Sequence, residues 1–258
     1  MTRFSFSYDE SPLNNSLGFR EGAQGTHTSR TMMSTELARL LEAGADASSA
    51  QRLIVEENIL GKATMAGRRL ALQRLRELYA LDRTVPVYQV LADLWKREPQ
   101  SLPQLALLAA LARDPLLRVT AKPILVLPPG RELVRDEIRH AISTSVGARL
   151  NPATLDKVVR NTASSWTQSG HLVGRTFKKR RRIEAKPAAL AFAIWLAQAS
   201  GFTGNDVLSN GWVTTLDLDQ ERLEILLERV RAAGLVEIRQ LGPHVEINSS
   251  RLLTRAAA

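Results

Sequence analysis

NPATLDKVVRNTASSWTQSGHLVGRTFKKRRRIEAK, residues 151–186, carries the reading on which the fold turns. Asn151 followed by Pro152 is a helix cap and first-turn pair, and Leu155, Val158, Val159, Thr162 and Trp166 place an apolar face along a helix that ends near Gly170. After it, HLVG (171–174) and RRIEA (181–185) read as two short strands, with the basic run at or near their connection. A helix followed by a basic hairpin is the local order of a winged helix. Five consecutive cations repel one another and gain nothing from burial, so they belong in solvent and become favourable when phosphates displace their counterions. Nucleic acid is the leading candidate partner. Arg175, Lys178, Lys179, Arg180, Arg181, Arg182 and Lys186 are expected to contact DNA phosphates across a groove, or to reach the minor groove from a wing tip.

Downstream the theme repeats. Pro187 to Ala199 reads as an apolar helix, Gly204 to Leu208 as a short one and Leu218 to Ala233 as a long amphipathic one ended by Gly234. LVEIRQ, LGPH and VEIN then have the alternation and Gly-Pro turn of a hairpin. Upstream the grammar is purely helical. Leu37, Leu40 and Leu41 follow the i, i+3, i+4 rule up to Gly44, and a second helix is expected from Ser49 to Leu60. Thr64 caps a third through Tyr79, and Thr84 with Pro86 and Ser101 with Pro103 start helices reaching Arg97 and Arg113. Helix resumes after Pro115, breaks at Pro128, Pro129 and Gly130, and restarts from Arg131 to Ser145. Residues 1–30 scatter Pro, Gly, Asn and Ser with no sustained period, which predicts a flexible tail or a partner-dependent arm. The expected organisation is mainly α: a helical bundle over 31–147, tandem winged-helix-like modules with short β-hairpins over 148–250, and a C-terminal tail at 251–258.

Charge and composition agree with a polyanionic partner. Thirty-five Lys and Arg against 26 Asp and Glu give a formal net charge of +9. No segment offers the roughly 20 apolar residues that would span a bilayer, the N-terminus has no apolar core of signal-peptide type, and a cytosolic protein is expected. The absence of Cys excludes disulfides, thiolate zinc sites and a cysteine nucleophile.

A second basic patch, Lys62, Arg68, Arg69 and Arg76 with Arg74 beside it, lies on the third helix. Arg69 and Arg76, seven apart, share a face there. The bland reading is a solvated face with Glu77 pairing locally. Trp95, Trp166 and Trp195 fall on apolar helix faces and are expected in the core, whereas Trp212 follows Gly211 in a loop, either plugging the second module or standing exposed. An enzymatic reading finds no Walker loop, no GxSxG elbow and no paired His at i and i+4. His27, His140, His171 and His244 are scattered, and Asp217, Asp219 and Glu221 are better explained by capping than by a metal. No catalytic residue, metal or cofactor is expected.

Two stretches carry a resemblance. ENILGKATMAGRRLALQRLRELYALD (57–82), and the order SSWTQSGHL then LLERVRAAGLVEIRQLGPHVEI, are similar to the BrxA family of bacteriophage-exclusion (BREX) defence systems, over about Thr35 to Asn248. The resemblance implies a small, non-catalytic, largely helical component, its N-terminal part similar to the antitermination factor NusB, with helix-turn-helix or winged-helix elements behind it. It further implies binding of double-stranded DNA and a role in blocking phage propagation alongside other BREX components. The polar head and the length of the basic Arg175 to Arg182 connection depart from the family pattern. Two other classes stay open: a winged-helix transcriptional regulator, and an RNA- or protein-binding assembly factor. Oligomeric state is not readable from the sequence.

Overall fold

The computed structural model describes residues 4–241 and 244–254. Among them helix dominates, and strand is confined to two small antiparallel hairpins, as the sequence predicts. Helices α1 (Ser34–Glu42), α2 (Met65–Tyr79), α3 (Pro86–Arg97) and α4 (Leu102–Arg113) make the first half. Thr64 caps α2 by accepting the Gly67 N–H at 3.0 Å, and Pro86 and Pro103 sit in first turns where their missing N–H is harmless. α4 is buried from Gln104 to Ala112 and packs against α1, α2 and α3, so an apolar run without amphipathic bias becomes the central helix. The helix expected from Ser49 to Leu60 is replaced by a π-helical turn, Arg52–Glu56. Asn58 and Gly61, both at positive φ, turn the chain away before a regular helix can propagate.

After α5 (Pro115–Arg118) and α6 (Ala121–Leu125), the helix expected from Arg131 begins only at Arg135, as α7 (Arg135–Val146). Residues 130–133 instead leave the Gly130 turn and bridge to a later strand at Glu132. Helix α8 (Pro152–Gln168) starts on its Asn151 cap, which accepts the Thr154 N–H at 2.9 Å. Strand β1 (Leu172–Val173) pairs antiparallel with β2 (Lys179–Arg180), Leu172 opposite Arg180. The other edge of β2 takes the 130–133 segment: Gly130 N–H donates to Arg180 O, Arg180 N–H to Arg131 O and Leu133 N–H to Lys178 O, each at 2.8 Å. The 130–133 segment, α7, α8, β1 and β2, with β2 in the middle, is the order of a winged helix. The expected pairing is thereby shifted: Leu172 and Val173 pair with Arg180 and Lys179, of RRIEA Arg181 donates its N–H to His171 O at 2.8 Å, and the connection is 174–178. Part of the basic run is itself the strand.

The second unit comprises α9 (Pro187–Ala199), a 3-10 turn Gly204–Leu208, α10 (Gly211–Thr214), α11 (Gln220–Ala232), and β3 (Glu237–Leu241) paired with β4 (His244–Asn248). Asp219 caps α11 through the Arg222 N–H at 3.1 Å, as expected. The Gly242-Pro243 turn and the His244 side chain lie outside the described residues. α9 is buried from Ala188 to Ala197 and packs against α3, α4 and α11. The buried apolar residues form one cluster from Phe6 to Leu252, with no break at the boundary expected at 147/148.

Both expected tails need correction within the described residues. Residues 4–30 bury Phe6, Leu13, Phe19, Thr26 and His27, held by 3-10 turns at Tyr8–Glu10, Asn15–Leu17 and Thr26–Thr28. Single apolar residues inserted one at a time leave no period to read. At the other end Arg251–Thr254 form α12, with Leu252 buried and Gln89 Nε2 donating to Leu253 O at 3.0 Å. Among the described residues no helix is long and apolar enough to cross a membrane.

Candidate nucleic-acid interface

The connection between β1 and β2 is a short wing, and its turn depends on glycine. Gly174 has φ 109°, and a Cβ there would collide with the Phe177 carbonyl. Two cations then tack the wing down. Lys178 Nζ donates to Thr167 Oγ1 at 2.8 Å, near the C-terminal end of α8, and Arg135 Nη2 donates to Thr176 O at 3.3 Å from α7. Partial burial, then the nearby Arg135, draw the Lys178 ammonium below its ordinary pKa. Phe177, 70% exposed, sits in the wing turn and lines a shallow cavity with Leu133, Val134 and Arg135.

Pleating divides the expected contact set. Arg180 points inward from β2 and is 3% exposed; its Nε donates to Ile124 O at 2.9 Å, and its guanidinium pairs with Asp217 and bonds the Arg181 carbonyl. It is therefore withdrawn from the contact set, because a guanidinium closed in by a carboxylate and carbonyls cannot reach a phosphate. Arg182 faces Asp219 at 3.4 Å and Lys186 faces Glu184 at 3.1 Å, so both are partly neutralised. Arg181 donates Nε to Gly170 O at 3.1 Å yet stays exposed. Arg175 and Lys179 are exposed and make no ion pair among the described residues.

Three further residues complete this surface. Lys157 and Arg160 lie three apart on the exposed side of α8, opposite Val158, Val159, Thr162 and Trp166, and neither makes an ion pair among the described residues. Arg139 ties α7 to α8 through Asp156 at 2.5 Å and also meets Asp136 on its own helix at 3.3 Å. The sequence held a signal for Lys157 and Arg160, since the apolar face of α8 fixes which positions point out. Phe177 had none, being one more apolar residue beside a strand.

The second expected patch is not a single stripe. Lys62 pairs with Glu36 at 2.8 Å, and Arg68 is half-buried, donating to Val55 O at 3.0 Å. Arg74 takes the Glu77 carboxylate at 2.7 Å, as the local-pairing reading predicts. Only Arg69 and Arg76 remain exposed and unpaired among the described residues, on one wall of a cavity.

Buried polar groups elsewhere serve the fold. His27 Nδ1 lies 2.8 Å from Asp114 and Nε2 2.8 Å from Ser165 Oγ, the connectivity of a hydrolase triad. All three are buried, and Ser165 Oγ also accepts the Met32 N–H at 2.8 Å, so no substrate reaches the hydroxyl. The triad joins the N-terminal segment to α8. Burial raises the Asp114 carboxyl, but His27 and the amides of His27 and Leu117 outweigh it, and its pKa falls below the ordinary value. His171, expected at a hairpin in a solvent-facing or structural role, is buried; its Nε2 meets Thr215 O and its Nδ1 meets Ser169 Oγ, each at 2.8 Å. Trp212 plugs the second unit, its Nε1 donating to Phe6 O at 2.9 Å. Among the described residues no group of His, Asp and Glu has the arrangement of a metal site. No protein-family model matches this chain, and no curated protein matches it.

Proposed function

We propose that this protein is a non-catalytic binder of double-stranded DNA, gripping the phosphate backbone with its wing and with the exposed side of α8. The observation that carries the reading is the convergence of unpaired cations on a winged-helix frame: Arg175 and Lys179 on the wing, Lys157 and Arg160 on α8. Lys178, donating to Thr167, ties the wing to the helix that carries Lys157 and Arg160, so both sets of cations sit on joined elements. Placement in a BREX-type defence system rests on the BrxA-like stretches alone, with other components of such a system as further partners. A cytoplasmic location fits that role.

Titration against duplex DNA, single-stranded DNA and RNA at several salt concentrations tests the DNA reading. Duplex binding should be preferred and steeply salt-dependent, and Arg175→Ala with Lys179→Ala should flatten the slope by about two units if both meet phosphates. An unchanged slope removes the wing from the interface, and a preference for single-stranded RNA overturns the reading in favour of an RNA-binding assembly factor.

A further inference from the structure

A cavity of about 590 Å³ opens beside α2, far in sequence from the wing. Arg20 comes from the N-terminal segment, Arg69 and Arg76 from α2, and Arg113 from the end of α4. Four arginines from three segments thus line one space, and the single carboxylate on its wall, Glu77, is already taken by Arg74, Thr26 and Gln73. Val55 and Leu72 supply an apolar wall.

Arg113 shows how poorly its charge is compensated. Its three nitrogens donate only to backbone carbonyls, those of Glu77 at 3.0 Å, Arg76 at 3.2 Å, and Gly18. Burial, then the neighbouring Arg20, lower its pKa to about 10, so the folded protein holds two cations together with no anion between them. Arg69 and Arg76 stand two turns apart on the same face of α2, exposed and without an ion pair among the described residues. Planar, fork-shaped donors in this number match phosphate oxygens better than they match solvent, and an anion entering the site would relieve their mutual repulsion.

We propose that this cavity binds a phosphorylated ligand of nucleotide size, its phosphate held by Arg20, Arg69 and Arg76 with the charge of Arg113 behind them, and its less polar part resting on Val55 and Leu72. The volume suits one nucleotide. Free nucleotide and the phosphorylated end of a nucleic-acid strand share this chemistry. The site is separate from the wing, and its occupancy does not depend on the duplex-binding reading.

Two probes are titrated into the full-length protein at low salt: N-methylanthraniloyl-AMP, and a 3′-labelled single-stranded hexanucleotide carrying a 5′-phosphate, with its 5′-hydroxyl counterpart as control. At least one phosphorylated probe is expected to bind saturably and to be displaced by pyrophosphate but not by adenosine. Binding of the nucleotide probe assigns the source as free nucleotide; binding of the 5′-phosphorylated strand alone assigns it as a strand end. Arg69→Gln with Arg76→Gln, both at exposed positions, should weaken binding by at least about tenfold at unchanged thermal midpoint. The wing variant R175A/K179A should bind as wild type, which separates this result from failure of the DNA reading. Absence of binding by every phosphorylated probe, or full retention in the double Gln variant, overturns the proposal.

Discussion

His171 couples the wing to the second unit, and its protonation state is tied to the fold. Burial above all lowers its pKa to about 4, with Arg180 and Arg181 adding to the effect and Asp217 and the Thr215 carbonyl opposing it. The neutral ring donates Nε2–H to Thr215 O and accepts at Nδ1, a pattern that an imidazolium breaks. Between the ordinary 6.5 and about 4 the unfolded chain binds a proton that the native protein refuses, so the stability of the fold falls as pH falls through that window. The full loss is about 3 kcal/mol by linkage. Below it the depressed Asp114 adds a further acid-side loss of the same sign. Urea unfolding at pH 7, 6 and 5 should show the decline, and His171→Gln should remove most of it; an equally steep decline in the variant would place the proton elsewhere. Residue identity alone did not reveal this. His171 and Arg180 look in the sequence like two polar residues of an exposed hairpin, and only the docking of Thr215 and Asp217 onto them turns both inward.

At the level of elements, caps and periods were readable because they are local physics. Asn151, Thr64 and Asp219 each accept the N–H three residues on, as their spacing to the following apolar face predicts. The strand pairing was not readable at the same resolution. β1 and β2 are too short for alternation to fix register, and the third segment, 130–133, arrives from before two intervening helices, so its effect on the basic run is a long-range one. Of the candidate site, the position of the wing and the cations Arg175 and Lys179 were legible, whereas the loss of Arg180 to the interior was not. Phe177 is exposed in the turn that leads into the strand. An exposed aromatic ring on a basic wing is a means of wedging against a base step in a narrow groove. Phe177→Ala is expected to weaken duplex binding by about fivefold to tenfold while leaving the salt slope unchanged, because the ring carries no charge. Filter binding or anisotropy across salt concentrations reads both quantities together. A change in slope with no change in affinity would show that the ring positions the cations and does not touch DNA.

For the whole molecule, the N-terminal segment decides whether the chain is a bundle with appendages or one interlocked body. Residues 4–30 run across both halves. Gly211 N–H donates to Ser5 O at 2.6 Å and Tyr8 N–H to Ser200 O at 3.1 Å in the second unit, while Arg20 N–H donates to Ala112 O at 3.1 Å on the central helix. A Cβ on Gly211 would lie 2.7 Å from the Ser5 oxygen, so glycine is what permits this approach. Phe6 packs edge-on to Trp212 at 4.7 Å, and Phe19 reaches the same ring at 5.9 Å. Burial of Phe6, Leu13 and Phe19 contributes about 1.5–3 kcal/mol each, which together rivals the entire net stability of an ordinary domain, about 5–15 kcal/mol. Removing His27 would also leave Asp114, a buried carboxylate, with only the Leu116 and Leu117 amides as partners, a further destabilising change. A protein lacking residues 1–30 is therefore expected to lose cooperative unfolding, red-shift its tryptophan emission as Trp212 becomes wet, and open to protease in the 200–215 region. A flexible arm predicts the opposite: the same thermal midpoint, the same emission and the same cleavage pattern after the cut. The two readings differ by more than the error of a single melt. His27→Ala provides the milder test, because it removes the Asp114 and Ser165 partner while keeping the aromatic residues in place. It should lower the midpoint by several degrees without exposing Trp212, so that a loss of both signals in the truncation alone assigns the aromatic packing, and not the buried polar link, as the larger share.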